Sequence, residues 1–545
     1  MNSWKKYLLI LLLSSFPLVH MFLTPDLPHT SDGAMHTIRF ASYYKELVAG
    51  QFPVRWASQF DYGYGTPIFN FFAPLPYMLG VPFIVFGVPL VMVLKLNFAL
   101  SYLLAGICMY LFAKSYFKDE KVAIFVTLMY QYAPFRLVDM LVRGSLGSLY
   151  SYTMLPLLFY AITKFIEKKT YAYFVLIALA TGLLSMSHNI VGFVFFGISV
   201  LYIPFATRKI REIVSVYLAM GLGLTLAGFF LIPAILEHKY VNGYLFTKDL
   251  FYDHFPPLYK LILPNITNDV SLRVAEVSVQ IGIFHLIAFG ILFFLFVRRR
   301  LTGSSKHPVL YLLLISFLTF LFIEPITKPL WENISVIRQF QYPWRLLSII
   351  CFTSAFASAF VIIKYPILQK KTVYFVLSGL VIFSTVVYWA PYQGYQKVSQ
   401  EAFWNYPKST NYFAEVNTIW MADEPRAFPK NRIEIIAGDA SVSDIKIAQT
   451  THSFLVNARE PSTVLDRTYF FPGWRVLVDS AEVPMQFQDQ NYRGLITFAV
   501  PQGNHKVTVF KGENKLEIIS DGISIATGIV LIGGWFFFQK KQKIV

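Results

Sequence analysis

The chain has 545 residues, 55% of them hydrophobic and only 14% charged, with a mean hydropathy of +0.52. That balance excludes a string of soluble domains with polar surfaces and predicts a polytopic α-helical membrane protein. The formal net charge of +16 does not indicate nucleic acid, because the basic residues fall in short clusters between apolar runs, the pattern that fixes cytoplasmic loops.

Runs able to cross about 30 Å of hydrocarbon, roughly 20 residues of helix each, occur near 7–23, 91–113, 122–138, 149–166, 171–187, 190–207, 213–236, 277–297, 308–323, 346–364, 372–390 and 521–538. Lys5 and Lys6 precede the first run and no small-residue cleavage site follows it, so it reads as a retained signal anchor. The N-terminus is then cytoplasmic and residues 24–66 form the first external loop. Working back from the other end, "RRR" at 298–300, "KK" at 370–371 and "KKQK" at 540–543 face the cytoplasm. Residues 66–89 are apolar but carry Pro67, Pro74, Pro76, Pro82 and Pro89, each lacking a backbone donor. This stretch is expected to be broken, re-entrant or interfacial, which protein or water must cover. Cys108 and Cys351 each lie inside an apolar run, with no CxxC or Cys/His spacing, so no disulfide framework or zinc site is implied.

Residues 391–520 change character. Asp, Glu, Asn and Lys become frequent, and "RVLVDSAEVPMQF" and "HKVTVFKGENKLEII" read as strands joined by polar turns. The expected layout is a membrane domain over 1–390, a small extracytoplasmic, mainly β domain over 391–520, and a C-terminal transmembrane helix with a basic cytoplasmic tail over 521–545. In "YFFPGW" at 469–474, Tyr469 and Trp474 are expected to pack the β core while Pro472 and Gly473 turn the chain.

The residues able to carry chemistry gather in external loops. Asp32 and His36 are four apart, so on a helix starting near Ser31 they share a face, with Arg39 on the next turn. The simpler role for Asp32 or Ser31 is to cap that helix, which runs to about Ala49. His188, in "LSMSHNIVG", sits at an external turn, where it either satisfies helix-end backbone groups or is functional. The loop after residue 236 offers Glu237, His238, Asp249, Asp253 and His254 among aromatics.

The string "HTSDGAMHTIRFASYYKELVAGQFPVRWASQFDYGYGTPIFNFFAPLPYML", with "MYLFAKSYF", "YQYAPFRLVDMLVRGSLGSLYSYTMLPLL", "RQFQYPWRLLSI" and "GLITFAVPQGNHKVTV", resembles a bacterial family of multi-spanning proteins labelled "6-pyruvoyl-tetrahydropterin synthase-related". That family is similar in layout to GT-C glycosyltransferases, including YfhO-like and protein-mannosyltransferase-like proteins. The resemblance implies a GT-C-like fold of about 12 to 14 transmembrane helices, a polyprenyl-phosphate sugar donor reached from the bilayer, and an acceptor arriving from outside. It also implies an acidic residue in the first external loop, here Asp32, as general base or as ligand of a divalent metal, with His36 beside it. A hydroxyl nucleophile must lose a proton as it attacks the anomeric carbon, and a positioned carboxylate accepts it. The departing lipid phosphate needs preorganised cations, for which Arg39, Arg143 and Arg345 are the candidates, Arg345 by bidentate contact. Arg55, Asp139, His188, Asp253 and His254 are candidates for acceptor binding or support, and Arg338 is a further cation. Where the family commonly shows a glutamate after the Arg143 stretch, this chain has Ser148, which weakens the case for a carboxylate-bound metal. The ten histidines include no HxH pair, so no pterin chemistry is expected.

The expected function is a glycosyltransferase of the cell membrane, with both termini cytoplasmic and the active site facing an external glycan, lipid or protein acceptor. The alternatives are a transporter or flippase of lipid-linked sugars, or a non-catalytic envelope assembly protein on the same fold. Ionisable groups in external loops rather than at mid-membrane favour surface chemistry over transport.

Overall fold

The computed structural model describes residues 3–243, 249–264, 277–301, 306–411 and 414–538. Among these, eight helices are long and apolar enough to cross a bilayer: Lys5–Phe22, Leu90–Phe117, Leu146–Lys168, Asn189–Ala206, Lys306–Ile323, Pro343–Lys364, Lys371–Tyr388 and Lys515–Phe538. Ile210–Leu226 and Gly228–Leu236 make a ninth candidate, bent by 73°. This is fewer than the twelve to fourteen spans expected, although every predicted run contains helix. Tyr171–Ser185 and Ile283–Val297 have 15 residues each, about 22 Å at 1.5 Å per residue, short of the hydrocarbon thickness. The proline-rich stretch after residue 66 is broken as expected, into Ile68–Phe71 and Leu75–Val85.

The run at 122–138 is also broken. Its helix stops at Gln131, and a new turn begins at Pro134 and passes into a π-helical turn over Asp139–Arg143. Proline has no N–H for the carbonyl four residues back, which is that of Tyr130. The fully buried Arg136 supplies the missing donor: its Nη1 donates to the Tyr130 carbonyl at 2.9 Å and to Gln131 Oε1 at 2.5 Å. The guanidinium stacks against the rings of Tyr102, Tyr130 and Tyr152. A cation in the helical bundle thereby closes the end of a broken helix.

The bundle has two chemically distinct ends. At one, Lys6 pairs with Glu120, Lys118 with Glu167 and Lys169 with Glu212, while Lys364 donates to the Arg300 carbonyl and Lys121 to that of Gln369. The "RRR" and "KK" clusters therefore share an end with the N-terminal lysines; the "KKQK" cluster lies outside the described residues. The opposite end carries the helix Gly33–Val48, the π turn and a β domain.

That domain is a sandwich of two antiparallel sheets. One has the order β3(Ile433–Ala437), β6(Ser462–Tyr469), β10(Leu495–Val500), β9(Met485–Gln486). The other runs β4(Ala440–Ile447), β5(Thr451–Ala458), β11(Gly503–Lys511), β7(Trp474–Val478), β8(Ala481–Val483). Alternating apolar side chains such as Val464, Phe498, Val476 and Val507 fill the space between them, while Tyr469 and Trp474 are buried with their rings against Tyr64 and Trp56 of the first loop. The last helix starts at Lys515, not near 521, so "NKLEII" is helix and not strand. The reason is a capping box: Asn514 Oδ1 accepts from the amides of Leu516 and Glu517, and Glu517 Oε2 accepts from the Asn514 amide.

The sandwich is tied to the first loop. β1(Leu27–Pro28) pairs with β2(Tyr395–Gln396), Trp56 meets Trp474 edge to face at 5.6 Å, and the Arg432 guanidinium donates to the Gly63 carbonyl. Arg136→Met keeps an unbranched apolar stem but removes the donor to the Tyr130 carbonyl and to Gln131 Oε1. It is expected to destabilise the fold by about 1–3 kcal/mol, measured as a lower thermal unfolding midpoint in nanodiscs.

Candidate functional site

The helix Gly33–Val48 is set against the π turn by backbone hydrogen bonds. The Ser31 amide donates to the Val142 carbonyl at 3.0 Å and the Asp32 amide to that of Arg143 at 2.8 Å. This approach needs glycine at 144, where φ is +69°: a Cβ there would lie 2.3 Å from Thr30 Oγ1 and 3.1 Å from the Gly33 nitrogen. Asp32 is the N-cap residue, but its carboxylate does not cap; the Gly33 amide donates instead to Thr30 Oγ1 at 3.1 Å. The expectation that Asp32 or Ser31 caps this helix is thus corrected. The hydroxyl of Thr30 takes that role, and the Asp32 carboxylate, with a 3.4 Å contact from Ser31 Oγ, is left facing a cavity.

The cavity has a volume of about 980 Å³ and is lined by Asp32, His36, Arg39, Arg143, His188, His254 and Arg345, together with Tyr77, His238, Gln341, Tyr342 and Glu415. Burial raises the Asp32 carboxyl above its usual range, opposed by Arg143, Arg39 and Arg345 in that order. Two of these cations are incompletely hydrogen-bonded. Arg143 pairs with Asp139 and lies over the Trp344 ring, yet among the described residues its buried Nε has no hydrogen-bond partner. Arg345 donates from Nη1 to Gln341 Oε1 at 3.0 Å, and its buried Nε likewise has none among them. Two guanidiniums in one cavity lining suit a multivalent oxyanion.

The remaining expected residues divide. His36 lines the cavity with Nδ1 3.0 Å from the Tyr77 hydroxyl, to which Arg39 also donates; the hydroxyl proton therefore points to Nδ1. Burial and then Arg39 push the imidazole down to about 3, so it is neutral at physiological pH. Arg39 lines the cavity too, but its Nε and Nη2 donate to Thr410 at 3.0 and 2.6 Å, which makes it a tether for the segment at Thr410 as much as a free cation. His188 caps Asn189–Ala206 by accepting from the Ile190 and Val191 amides, the structural role, at the cavity wall. His254 lines the cavity against Tyr342, and burial pushes it down to about 4.

Three expectations are corrected. Arg55 is not at the cavity: it pairs with Asp521 at 2.7 Å and Glu517 at 3.7 Å, holding the first loop to the last helix. Asp253 is exposed and outside the lining, because the short helix Leu250–Asp253 turns Phe251 inward instead. Asp139 is buried beneath the lining, paired with Arg143 and accepting from Tyr152. Arg338 donates to the Trp331 carbonyl and Ser148 bonds Ser145, neither in the lining. Tyr77, Thr410 and Glu415 were not singled out by sequence. Tyr77 carries the one phenol in a proline-broken apolar stretch, a signal that was readable; Thr410 and Glu415 had none.

The donor set does not fit a divalent ion. The carboxylates of the lining, Asp32 and Glu415, stand among three guanidiniums, and among the described residues no three His, Cys, Asp or Glu side chains converge to hold a metal.

Residues 69–392, more than half of the chain, match the family described as "6-pyruvoyl-tetrahydropterin synthase related domain; membrane protein". The chain belongs to that family. No curated protein matches it. Among solved structures, this family member is similar to the arabinofuranosyltransferase AftD from Mycobacteria, at 16% identity and a TM-score of 0.43 over 71% of this chain. It spans about a quarter of AftD, 27% of that chain. It is also similar to ArnT from Cupriavidus metallidurans bound to undecaprenyl phosphate, at 13% identity and a TM-score of 0.29, over 65% of this chain and 76% of that one. Likenesses this distant do not transfer chemistry.

Because Asp32 does not cap and burial disfavours its charge, Asp32→Asn is expected to leave the unfolding midpoint unchanged or slightly higher. Thr30→Val, which removes the cap, is expected to cost about 1 kcal/mol. Thermal unfolding of both variants in one nanodisc preparation distinguishes them.

Proposed function

We propose that this membrane protein transfers a sugar from a polyprenyl-phosphate donor to an acceptor hydroxyl outside the cytoplasm, with Asp32 as general base. The observation that carries the reading is an Asp32 carboxylate that does not cap its helix and lines one cavity with Arg143 and Arg345, both of which act on its charge. A glycosyl transfer needs a base for the nucleophile and fixed positive charge for the departing phosphate, and these residue types supply both. The acceptor oxygen attacks the anomeric carbon, its proton passes to Asp32, and the bond to the phosphate oxygen breaks with its electron pair going to the phosphate. Arg143 and Arg345 meet that developing charge. His36, neutral and hydrogen-bonded to Tyr77, adds a polar wall without competing for the phosphate.

A lipid-borne substrate fits the rim of the cavity. Phe193 and Val336 line it while remaining 55% and 57% exposed, so apolar surface meets the bilayer where a polyprenyl chain would enter. Gathering of the lysine and arginine clusters at the opposite end of the bundle supports an external cavity and a cytoplasmic N-terminus under the positive-inside rule. The acceptor would come from the side of the β sandwich, past Glu415 and Gln396.

Transfer from a defined undecaprenyl-phosphate sugar in proteoliposomes tests the reading, with wild type compared with Asp32→Asn and Arg345→Gln at equal folded amounts. Asp32→Asn is expected to lose at least about 100-fold in turnover, and Arg345→Gln to lose donor binding. Undiminished turnover in Asp32→Asn removes the assignment, and sugar movement across the bilayer without transfer supports the transporter alternative.

The pH profile follows from the raised Asp32 carboxyl. The base works only when ionised, so the rate rises with pH through a pKa above the ordinary carboxylate value of 3.8. His36, held near 3, adds no limb near neutrality. A rate constant from pH 5 to 8 that falls only below pH 4 contradicts this.

A further inference from the structure

Beneath the cavity wall lies a chain of buried groups with no part in the chemistry above. Arg143 Nη1 is paired with Asp139 Oδ1, and Asp139 Oδ2 accepts from the Tyr152 hydroxyl at 2.7 Å. Tyr152 is completely buried, its ring against the Arg136 guanidinium, and its carbonyl accepts from Tyr130. Arg136 in turn closes the broken helix from which the π turn departs. We infer that Tyr152 and Asp139 are positioning residues: Tyr152 fixes the Asp139 carboxylate, which aims the Arg143 guanidinium at the bound phosphate of the donor. The inference rests on the reading of the cavity as a lipid-phosphate site.

The geometry separates positioning from simple neutralisation. Arg143 is held on one side by Asp139 and on its face by Trp344, at 5.0 Å from the ring, and among the described residues its Nε has no hydrogen-bond partner. A carboxylate serving only to neutralise could rotate about its own side chain. Here both oxygens are taken, one by Arg143 and one by Tyr152, and the Ser145 amide donates to the Asp139 carbonyl at 2.9 Å. Removal of the tyrosine hydroxyl frees one oxygen without changing any charge or any group lining the cavity.

The two roles predict opposite signs. If Asp139 only offsets charge, Asp139→Asn leaves Arg143 more strongly cationic and phosphate binds more tightly. If it aims Arg143, both Asp139→Asn and Tyr152→Phe bind more weakly. The test measures undecaprenyl phosphate affinity of the full chain in nanodiscs for wild type, Tyr152→Phe, Asp139→Asn and Arg143→Gln, alongside phenylglyoxal labelling of Arg143 read by peptide mass spectrometry. Tyr152→Phe is expected to weaken binding about tenfold, as for loss of a hydrogen bond to a charged group, and to speed labelling of Arg143 severalfold. Wild-type affinity in Tyr152→Phe where Arg143→Gln has lost it, or tighter binding by Asp139→Asn, overturns the inference. If the wild type does not bind undecaprenyl phosphate, the reading of the cavity fails, and labelling then decides the positioning role alone: an unchanged rate in Tyr152→Phe overturns it. Should Asp139→Asn fail to fold, Tyr152→Phe carries both measurements.

Discussion

The hydrogen bond from the Asp32 amide to the Arg143 carbonyl is the constraint on which the rest of the site depends. It joins two segments more than a hundred residues apart through backbone atoms alone, so the backbones that carry the carboxylate and the guanidinium are held at a fixed spacing, and side-chain contacts have only to aim the guanidinium. The clip is possible only because Gly144 has no Cβ and Thr30 takes over the helix cap. That division of labour leaves a carboxylate of a preferred capping type facing the cavity instead of its own helix.

The same economy of groups appears in the membrane bundle. Pro134 ends a helix that would otherwise continue, and the liberated carbonyl accepts from the buried Arg136 guanidinium. The π turn that follows brings Asp139 and Arg143 onto one side, four residues apart.

Much of this architecture was legible in the amino-acid order. Each apolar run contains a helix, the "RRR" and "KK" clusters share an end with the N-terminal lysines, and a β sandwich follows the change in character after residue 390, from Ile433 on. What failed had physical causes. Length alone could not separate a full span from a 15-residue helix such as Ile283–Val297, and the Asn514–Glu517 capping box was hidden by the alternation that precedes it. Asp32, His36, Arg143 and Arg345 do meet around one cavity. Arg55 misled because an arginine in an external loop reads alike whether it faces a ligand or a carboxylate of the last helix. Tyr152 and Thr410 were invisible because their partners lie 13 and 371 residues away.

The small ladder between Leu27–Pro28 and Tyr395–Gln396, with Arg39 reaching Thr410, bears on how the protein comes to be made. The first of these segments leaves the ribosome early, but the one that frames it on the far side is more than 360 residues behind. Until the later segment is made, Leu27 and Pro28 have no ladder partner and Arg39 has no Thr410 to donate to. The cavity, lined by Gln396, Glu415 and Val416 as well as by Asp32 and His36, therefore takes its final form only after those late segments have been synthesised.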